Sequence, residues 1–142
     1  MEKTFIRPWR IRFSDCDPAG IVYHPNFFVM FNNLIEDWFR EGLELPFLEM
    51  GKRGLLLPVV SVKSDFFKPF HIGEHGELRL WVSHIGNSSL TVHFEFWKDD
   101  ELRVKCEEVM VFIDSENRRS TPIPADVREK LAMYLKEAHE TQ

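Results

Sequence analysis

The chain has 142 residues, of which 44% are apolar and 29% are charged, and its formal net charge is −5. We expect one globular domain over residues 1–142, large enough for a hydrophobic core. The acidic balance argues against a nucleic-acid partner, because such a surface needs clustered basic side chains. No apolar run approaches the ~20 residues that cross a bilayer, and the N-terminus lacks a signal-peptide pattern. We therefore predict a cytoplasmic protein without a membrane partner.

A loop with two carboxylates follows the first predicted strand. Alternation over residues 7–13 predicts a half-buried strand that keeps Phe13 on its inner side. Asp15 and Asp17 come next, and the proline and glycine that follow them favour a tight, irregular path. Both carboxylates are therefore expected on a loop.

A long apolar helix is predicted directly after this loop. Asn26 is a favourable N-cap, and Gly42 supplies a stop. Between them, apolar residues recur at helical spacing: Phe27, Phe31, Leu34, Ile35, Trp38 and Phe39. Such a helix must be covered on most of its surface.

The loop and the helix together suggest a chemistry. A helix N-terminus presents unpaired backbone N–H groups, and these can stabilise an oxyanion that develops on a carbonyl group. Asp17 could attack that carbonyl or activate water against it. On general grounds, however, the aspartates of an Asp-x-Asp-Pro loop more often cap turns, so the spacing alone does not decide between the two interpretations.

A family resemblance favours the catalytic interpretation. The string from Asp15 to Val22, followed by Pro25 and Asn26, resembles the signature of the hotdog-fold 4-hydroxybenzoyl-CoA thioesterases. The Val-Tyr-His triplet that ends at His24 is also similar to the acyl-CoA thioesterases of the Tol-Pal gene cluster.

The resemblance implies roles for individual positions. Asp17 matches the catalytic carboxylate of the family, and the backbone N–H of His24 matches the group that polarises the thioester carbonyl. Asn32 stands where the benzoyl-specific members place an aspartate, and Phe47 matches a tryptophan expected shortly after the helix. Whether Asp17 acts as nucleophile or as general base remains open, and so does a direct role for the His24 imidazole.

The rest of the chain reads as four strands and a helix. Strand patterns cover residues 55–67, 77–85, 89–97 and 102–113, and Val127, Leu131, Leu135 and Ala138 mark a C-terminal helix. We therefore predict an α+β protein of order β-α-β-β-β-β-α, with one apolar helix wrapped by a twisted antiparallel sheet. The resemblance implies the same hotdog fold.

Two features of the last strand pattern need a partner. Residues 109–113 are apolar on both faces, which calls for cover by a helix or another subunit. One of Glu107 and Glu108 must share the apolar parity, which a partner charge across an interface would explain. The family forms dimers that usually pair into tetramers, with the active site at the dimer interface, so we expect a homo-oligomer.

Further residues are candidates for substrate contact. A coenzyme A substrate needs a small basic rim for its phosphates. Candidates for that rim are Lys63, Lys68, Arg118 and Arg119, and candidates for the acyl and pantetheine contacts are Pro18, Asn32, Phe47, Val60 and Ser61. Solubilising surface charge is an equally good explanation of each basic residue.

We predict no metal and no cofactor beyond the coenzyme A of the substrate. Cys16 lies between two carboxylates, which disfavour its thiolate, and the two cysteines match neither a zinc spacing nor a disulfide framework. The predicted function is hydrolysis of an acyl-CoA to free acid and CoA. The alternative is a hotdog module that binds acyl-CoA or acyl-carrier protein without turnover. A hotdog hydratase would need an Asp/His motif that is not found.

Overall fold

The computed structural model describes residues 2–137. Its main layer is a five-stranded antiparallel sheet of order β1-β4-β5-β6-β3, and β2 and β7 form a separate two-stranded sheet. The strands are β1 Phe5–Arg10, β2 Leu55–Leu56, β3 Val59–Phe66, β4 His75–Ile85, β5 Ser89–Lys98, β6 Glu101–Val111 and β7 Ile113–Asp114. The helices are α1 Pro25–Asp37, continued by a π-helical segment Trp38–Gly42, then α2 Phe47–Lys52 and α3 Ala125–Ala132.

The long helix packs against one face of the sheet, which we call the inner face. Phe31 of α1 stacks on Phe94 of β5 with ring centroids 4.8 Å apart. Every second residue of β5 points to this face and is fully buried, as the alternation predicted: Leu90, Val92, Phe94 and Phe96. Each such aromatic or aliphatic side chain contributes about 1.5–3 kcal/mol by leaving water. The helix and the sheet therefore share one core, and the predicted helix-in-sheet arrangement is confirmed.

The predicted second strand is divided in two. Pro58 has no N–H to donate, and its carbonyl accepts a hydrogen bond from Val111 N at 3.1 Å. The chain before Pro58 forms β2 and pairs with β7, while the chain after it forms β3 and pairs with β6. The short helix α2 precedes them.

The first strand ends earlier than the alternation predicted. Pairing of β1 with β4 stops at Arg10 opposite His75, and the chain then turns through a 3₁₀ segment, Phe13–Asp15. Phe13 is consequently 81% exposed rather than inward-facing. The strand partner, which local alternation does not reveal, sets this boundary.

The start of α1 also differs from the prediction. His24 is the N-cap and Pro25 is the first helical residue, so Asn26 lies inside the first turn. The helical path does end at Gly42, where a Cβ would lie 2.7 Å from Trp38 Cδ1. Gly42 is therefore needed for close packing.

Helix α3 ends at Ala132, before the predicted Leu135, because the chain turns there to lie beside β4. Tyr134 O accepts a hydrogen bond from Val82 N at 3.0 Å. Ala138 lies outside the described residues. No helix within residues 2–137 is long and apolar enough to cross a membrane.

Strand β3 forms an open edge of the main sheet. Within residues 2–137 it pairs only with β6. Its apolar residues remain 40% to 60% exposed: Val59, Val60, Val62 and Phe66. An exposed apolar edge strand is a surface that proteins normally cover.

Candidate active site

The acidic loop, residues 11–24, is fixed by backbone hydrogen bonds to the chain that follows β3. Val22 N donates to Phe70 O at 2.9 Å, and Gly73 N donates to Ile11 O at 2.9 Å. A bridge between Cys16 and Val22 closes the loop on itself. The loop that carries both aspartates is therefore held from two sides.

Asp15 fastens this loop. Its Oδ2 accepts hydrogen bonds from Arg12 N at 2.9 Å and from the Trp9 indole at 3.3 Å. Its backbone carbonyl accepts from Tyr23 N at 3.0 Å and from Asn26 Nδ2 at 2.9 Å. Asn26 thus ties the first turn of α1 to the acidic loop, a role different from the predicted N-cap. Asp15 shapes the loop with both its side chain and its backbone.

Asp17 is half-buried and differently bonded. Its Oδ1 accepts a hydrogen bond from Ala19 N at 2.8 Å, which fixes the carboxylate in an Asx turn. Gly20 N donates to Asp17 O at 2.9 Å, which closes a tight turn over residues 17–20. Gly20 has φ +81°, a conformation that glycine adopts without strain. The Oδ2 of Asp17 accepts no hydrogen bond from residues 2–137. Oδ1 is therefore oriented by a hydrogen bond, and Oδ2 accepts none from the described residues.

The backbone N–H of His24 is also free. No acceptor for it occurs among residues 2–137, whereas Asn26 N donates to Tyr23 O at 2.8 Å and Phe27 N donates to His24 O at 3.1 Å. The His24 imidazole is exposed, with its ring centroid 6.1 Å from that of Phe66. A free amide at a helix start is the kind of donor that can stabilise an oxyanion.

A cavity of about 240 Å³ lies beside His24. Its lining is mostly apolar, with His24 and Lys68 as polar members: Val22, His24, Phe27, Phe66, Phe67, Lys68 and Pro69. Lys68 Nζ lies 3.1 Å from Glu101 Oε2. Of the predicted phosphate-binding residues, the structure brings Lys68 to the start of α1.

Cys16 is poorly suited to act as a nucleophile. Burial and the neighbouring charges of Asp15 and Asp17 raise the pKa of its thiol. No group of three or more His, Cys, Asp or Glu side chains that could hold a metal occurs in the described part of the chain. The raised pKa keeps the Cys16 thiol protonated near neutral pH, where it is a poor nucleophile.

Arg103, which the sequence did not single out, contacts the segment that lines the cavity beside His24. Arg103 is 8% exposed and donates to Pro69 O at 2.8 Å and to Glu74 Oε1 at 3.2 Å. Partial burial would raise the Glu74 pKa, but hydrogen bonds from His71 and the charge of Arg103 outweigh it and hold that pKa below its ordinary value. Strand alternation around Arg103 indicated only an outward side chain, so it gave no signal of this contact.

The remaining predicted residues lie elsewhere on the chain. Pro18 is exposed in the turn after Asp17, and Asn32 is exposed on α1. Val60, Ser61 and Lys63 are exposed on β3. A single chain therefore leaves these candidates on its surface, three of them on the open edge strand.

A second group lies near the far end of the long helix. Phe47 packs against Phe39, with ring centroids 5.0 Å apart, and both line a second cavity of about 250 Å³. Phe39 is fifteen residues after His24, or about 22 Å along a helix. Arg118 and Arg119 are exposed in the turn after β7, which pairs with β2 beside this cavity. One chain does not bring this group to Asp17.

Comparison with known proteins agrees with this fold and with a thioesterase. The thioesterase-like superfamily matches residues 11–131. The chain is 30% identical over 133 residues to a 1,4-dihydroxy-2-naphthoyl-CoA hydrolase of Synechococcus sp. (strain WH7803), covering 89% of this chain and 87% of that protein. It is 28% identical over 115 residues to the putative acyl-CoA thioesterase YneP of Bacillus subtilis (strain 168), covering 75% and 78%.

A solved structure supports the fold independently. The Staphylococcus aureus protein SAV2348, determined in complex with CoA, superposes with a TM-score of 0.87 at 17% identity, covering all of this chain and 90% of that one. The predicted hotdog fold is confirmed, and so is the predicted class of thioester hydrolase at the level of the family. The narrower resemblance to 4-hydroxybenzoyl-CoA thioesterases stays a prediction. The chain belongs to the thioesterase-like superfamily.

Proposed function

We propose that the protein hydrolyses acyl-CoA thioesters at the start of α1, with Asp17 as the reacting carboxylate. The observation that carries this proposal is the pairing of two free groups in one loop. The Oδ2 of Asp17 and the N–H of His24 have no partner within residues 2–137, although the chain around them is densely hydrogen-bonded. A carbonyl in the adjacent cavity would meet a donor, and a carboxylate would be available to react with it.

The reaction has two balanced forms, and the geometry supports either one. Asp17 can attack the carbonyl carbon, so that CoA leaves as a thiolate and water then cleaves the resulting anhydride. Alternatively, Asp17 removes a proton from water, which adds to the carbonyl before the thiolate leaves and takes up that proton. In both forms, charge develops on the carbonyl oxygen, where the His24 amide would stabilise it.

We further propose that the working unit is at least a dimer formed through β3. Pairing two copies of this edge about a two-fold axis makes the strands antiparallel, so the Val59 end of one copy meets the Phe66 end of the other. The cavity beside His24 would then receive groups from the partner's far helix end, where Phe47, Arg118 and Arg119 lie. This arrangement would complete the set of predicted substrate contacts.

The acyl group is proposed to be aromatic or short, since Phe27 and Phe66 line the cavity beside His24. The relative from Synechococcus, named for an aromatic CoA thioester, supports testing aryl substrates first. Asn32 stands where the 4-hydroxybenzoyl-specific enzymes have an aspartate. Specificity for 4-hydroxybenzoyl-CoA would therefore require another group in this protein to bind the ring hydroxyl.

Thiol release from a panel of acyl-CoAs tests the proposal. Aryl, short-chain and long-chain thioesters are incubated with the purified protein, and free CoA is measured over time. We expect multiple turnovers on at least one thioester. Saturable binding of these ligands with no CoA release would instead support the non-catalytic acyl-CoA-binding module.

A further inference from the structure

The acidic loop is bonded along its length to residues 67–74, which we call the support segment. Four backbone hydrogen bonds of 2.8 to 3.0 Å join the two: Ile11 N to Glu74 O, Gly73 N to Ile11 O, Ile72 N to Gly20 O, and Val22 N to Phe70 O. The support segment also supplies one wall of the cavity beside His24, with Phe67, Lys68 and Pro69. Its position therefore sets the position of the acidic loop that carries Asp17.

The support segment itself is irregular chain between the end of β3 and the start of β4. Pro69 lies in its middle and has no N–H with which to extend the pairing of β3. Backbone polar groups outside a strand ladder need other partners when they are removed from water. The support segment is therefore held in place by side chains that reach it from elsewhere in the fold.

Arg103 of β6 contacts the support segment at both of its ends. Its backbone carbonyl accepts hydrogen bonds from Phe67 N at 2.8 Å and from Lys68 N at 3.4 Å. Its guanidinium Nη1 donates to Pro69 O at 2.8 Å and to Glu74 Oε1 at 3.2 Å. A planar guanidinium holds several acceptors in fixed directions, which a flexible ammonium group does not. One side chain thereby fixes the start of the segment relative to its end.

The same guanidinium lies over an aromatic ring of the core. The Cζ atom of Arg103 is 4.8 Å from the ring centroid of Phe70, which is fully buried. The Phe70 centroid is 4.2 Å from that of Phe96 on β5 and 6.4 Å from that of Phe27 in the first turn of α1. Phe27 lines the cavity beside His24. The contacts of Arg103 therefore extend to the start of the long helix as well as to the acidic loop.

Two carboxylates hold the Arg103 side chain in this orientation. Its Nε donates to Glu101 Oε1 at 2.8 Å, on the side away from Pro69 and Glu74. Glu74 Oε1 in turn accepts a hydrogen bond from His71 N at 2.7 Å, a backbone amide of the support segment. A guanidinium as deeply buried as that of Arg103 is stable only with such partners. Arg103 and Glu74 together therefore clamp the backbone of the support segment.

We propose that Arg103 is a positioning residue for the candidate active site. The inference rests on the proposed thioester hydrolysis and adds to it a residue that touches neither the substrate nor the reacting atoms. Arg103 fixes the support segment, and the support segment holds Asp17 and the His24 amide in the arrangement that the reaction needs. Loss of the guanidinium should let the acidic loop shift while leaving the reacting groups chemically intact. Misplacement of this kind slows the chemical step.

Arg103→Met tests the inference, because it keeps an unbranched apolar side chain and removes the guanidinium. On a thioester that the wild type hydrolyses, we expect kcat to fall about tenfold or more and KM to rise by a smaller factor. Amide hydrogen exchange follows the loop itself and needs no turnover. The Val22 N–H, which donates to Phe70 O, should exchange about tenfold faster than in the wild type.

Arg128 provides the matched control, because it makes the same kind of contact at the other end of the sheet. Its Nη2 donates to Gly86 O at 2.6 Å and to Asn87 O at 3.3 Å, in the turn between β4 and β5. The 11 residues of β4 separate this turn from the support segment by about 33 Å. Arg128→Met should lower the melting temperature, as Arg103→Met does, but should leave kcat and the exchange of Val22 at their wild-type values.

The outcomes separate this inference from the proposed function. Wild-type kcat and Val22 exchange in Arg103→Met, or an equal loss of kcat in Arg103→Met and Arg128→Met, would overturn the role of Arg103 alone. If Arg103→Met does not fold, Arg103→Lys replaces it: this variant keeps the charge without the planar fork, so wild-type exchange of Val22 in it would overturn the role. If the wild type hydrolyses no acyl-CoA, the proposed function fails, and the exchange of Val22 still decides whether Arg103 holds the loop.

Discussion

The acidic loop and the middle of β6 treat their carboxyl groups in opposite ways. In the loop, Asp15 and Asp17 lie near the surface and are oriented by backbone N–H groups. In β6, Glu108 is enclosed by apolar side chains and keeps one oxygen without a donor. The loop can therefore hold a charged carboxylate in a fixed direction, while the strand favours a neutral acid. Of the two regions, only the loop leaves its carboxyl groups partly open to solvent.

The open edge of the sheet borders both regions, because Phe66 of β3 lines the cavity beside His24 and Val62 of β3 pairs opposite Glu108. Val60→Asp places a charge on this edge at a position that is already 60% exposed, so the single chain should still fold. We expect dissociation to monomers and a loss of activity on the order of 10²-fold, because an incomplete site misplaces its substrate.

Ile6→Asp provides the matched control. Ile6 is 42% exposed on β1, the other edge strand of the same sheet. This variant should keep the wild-type sedimentation coefficient and activity. A fully active Val60→Asp monomer would contradict the shared site.

The loop side of the comparison predicts a smaller effect at Asp15. Asp15→Ala removes the acceptor for Arg12 N and the Trp9 indole. We expect kcat to fall about tenfold through loss of positioning, and the free energy of unfolding to fall by about 1–2 kcal/mol. Steady-state kinetics and urea unfolding measure the two quantities. Unchanged kcat would show that the loop does not need the hydrogen bonds of the Asp15 side chain.

The smallest expected effect concerns the rim of the cavity. Lys68→Ala removes the charge beside His24 and should raise KM for CoA thioesters about threefold at unchanged kcat, as expected for a screened surface phosphate contact. The effect should shrink as the salt concentration rises. Glu77→Ala, which removes an exposed ion pair with Arg79 on β4, should leave KM unchanged. Equal KM values in Lys68→Ala and wild type would remove Lys68 from the proposed rim.

The conformation of the acidic loop could be predicted from local sequence, because its turns depend on neighbouring residues. Short patterns predicted that Asp17 lies on a loop, because a proline and a glycine follow it. They also predicted that the helix ends at Gly42. Alternation also predicted that one of two adjacent glutamates faces the core. The side chain that does so, Glu108, follows from the register of β6 against β3 and β5, which a single sequence leaves open.

The misses have the same physical origin. Phe13 was expected inward, but β1 loses its partner at His75 and the chain turns away. Asn26 was expected to cap α1, yet its side chain reaches back to Asp15 O. The role of Arg103 could not be predicted from local sequence, because its partners, Pro69 O and Glu74, lie 34 and 29 residues earlier in the chain. Each depends on tertiary pairing that local propensity does not encode.

The most direct test of the central claim compares kcat for Asp17→Asn and Asp15→Asn on one thioester that the wild type hydrolyses. Asp17→Asn keeps the shape of the side chain and removes the reacting carboxylate, so kcat should fall by about 10²–10⁴-fold or more while substrate binding survives. Asp15→Asn keeps an acceptor for Arg12 N and should lose far less. Comparable activity of Asp17→Asn and wild type would contradict the assignment of Asp17 as the reacting group.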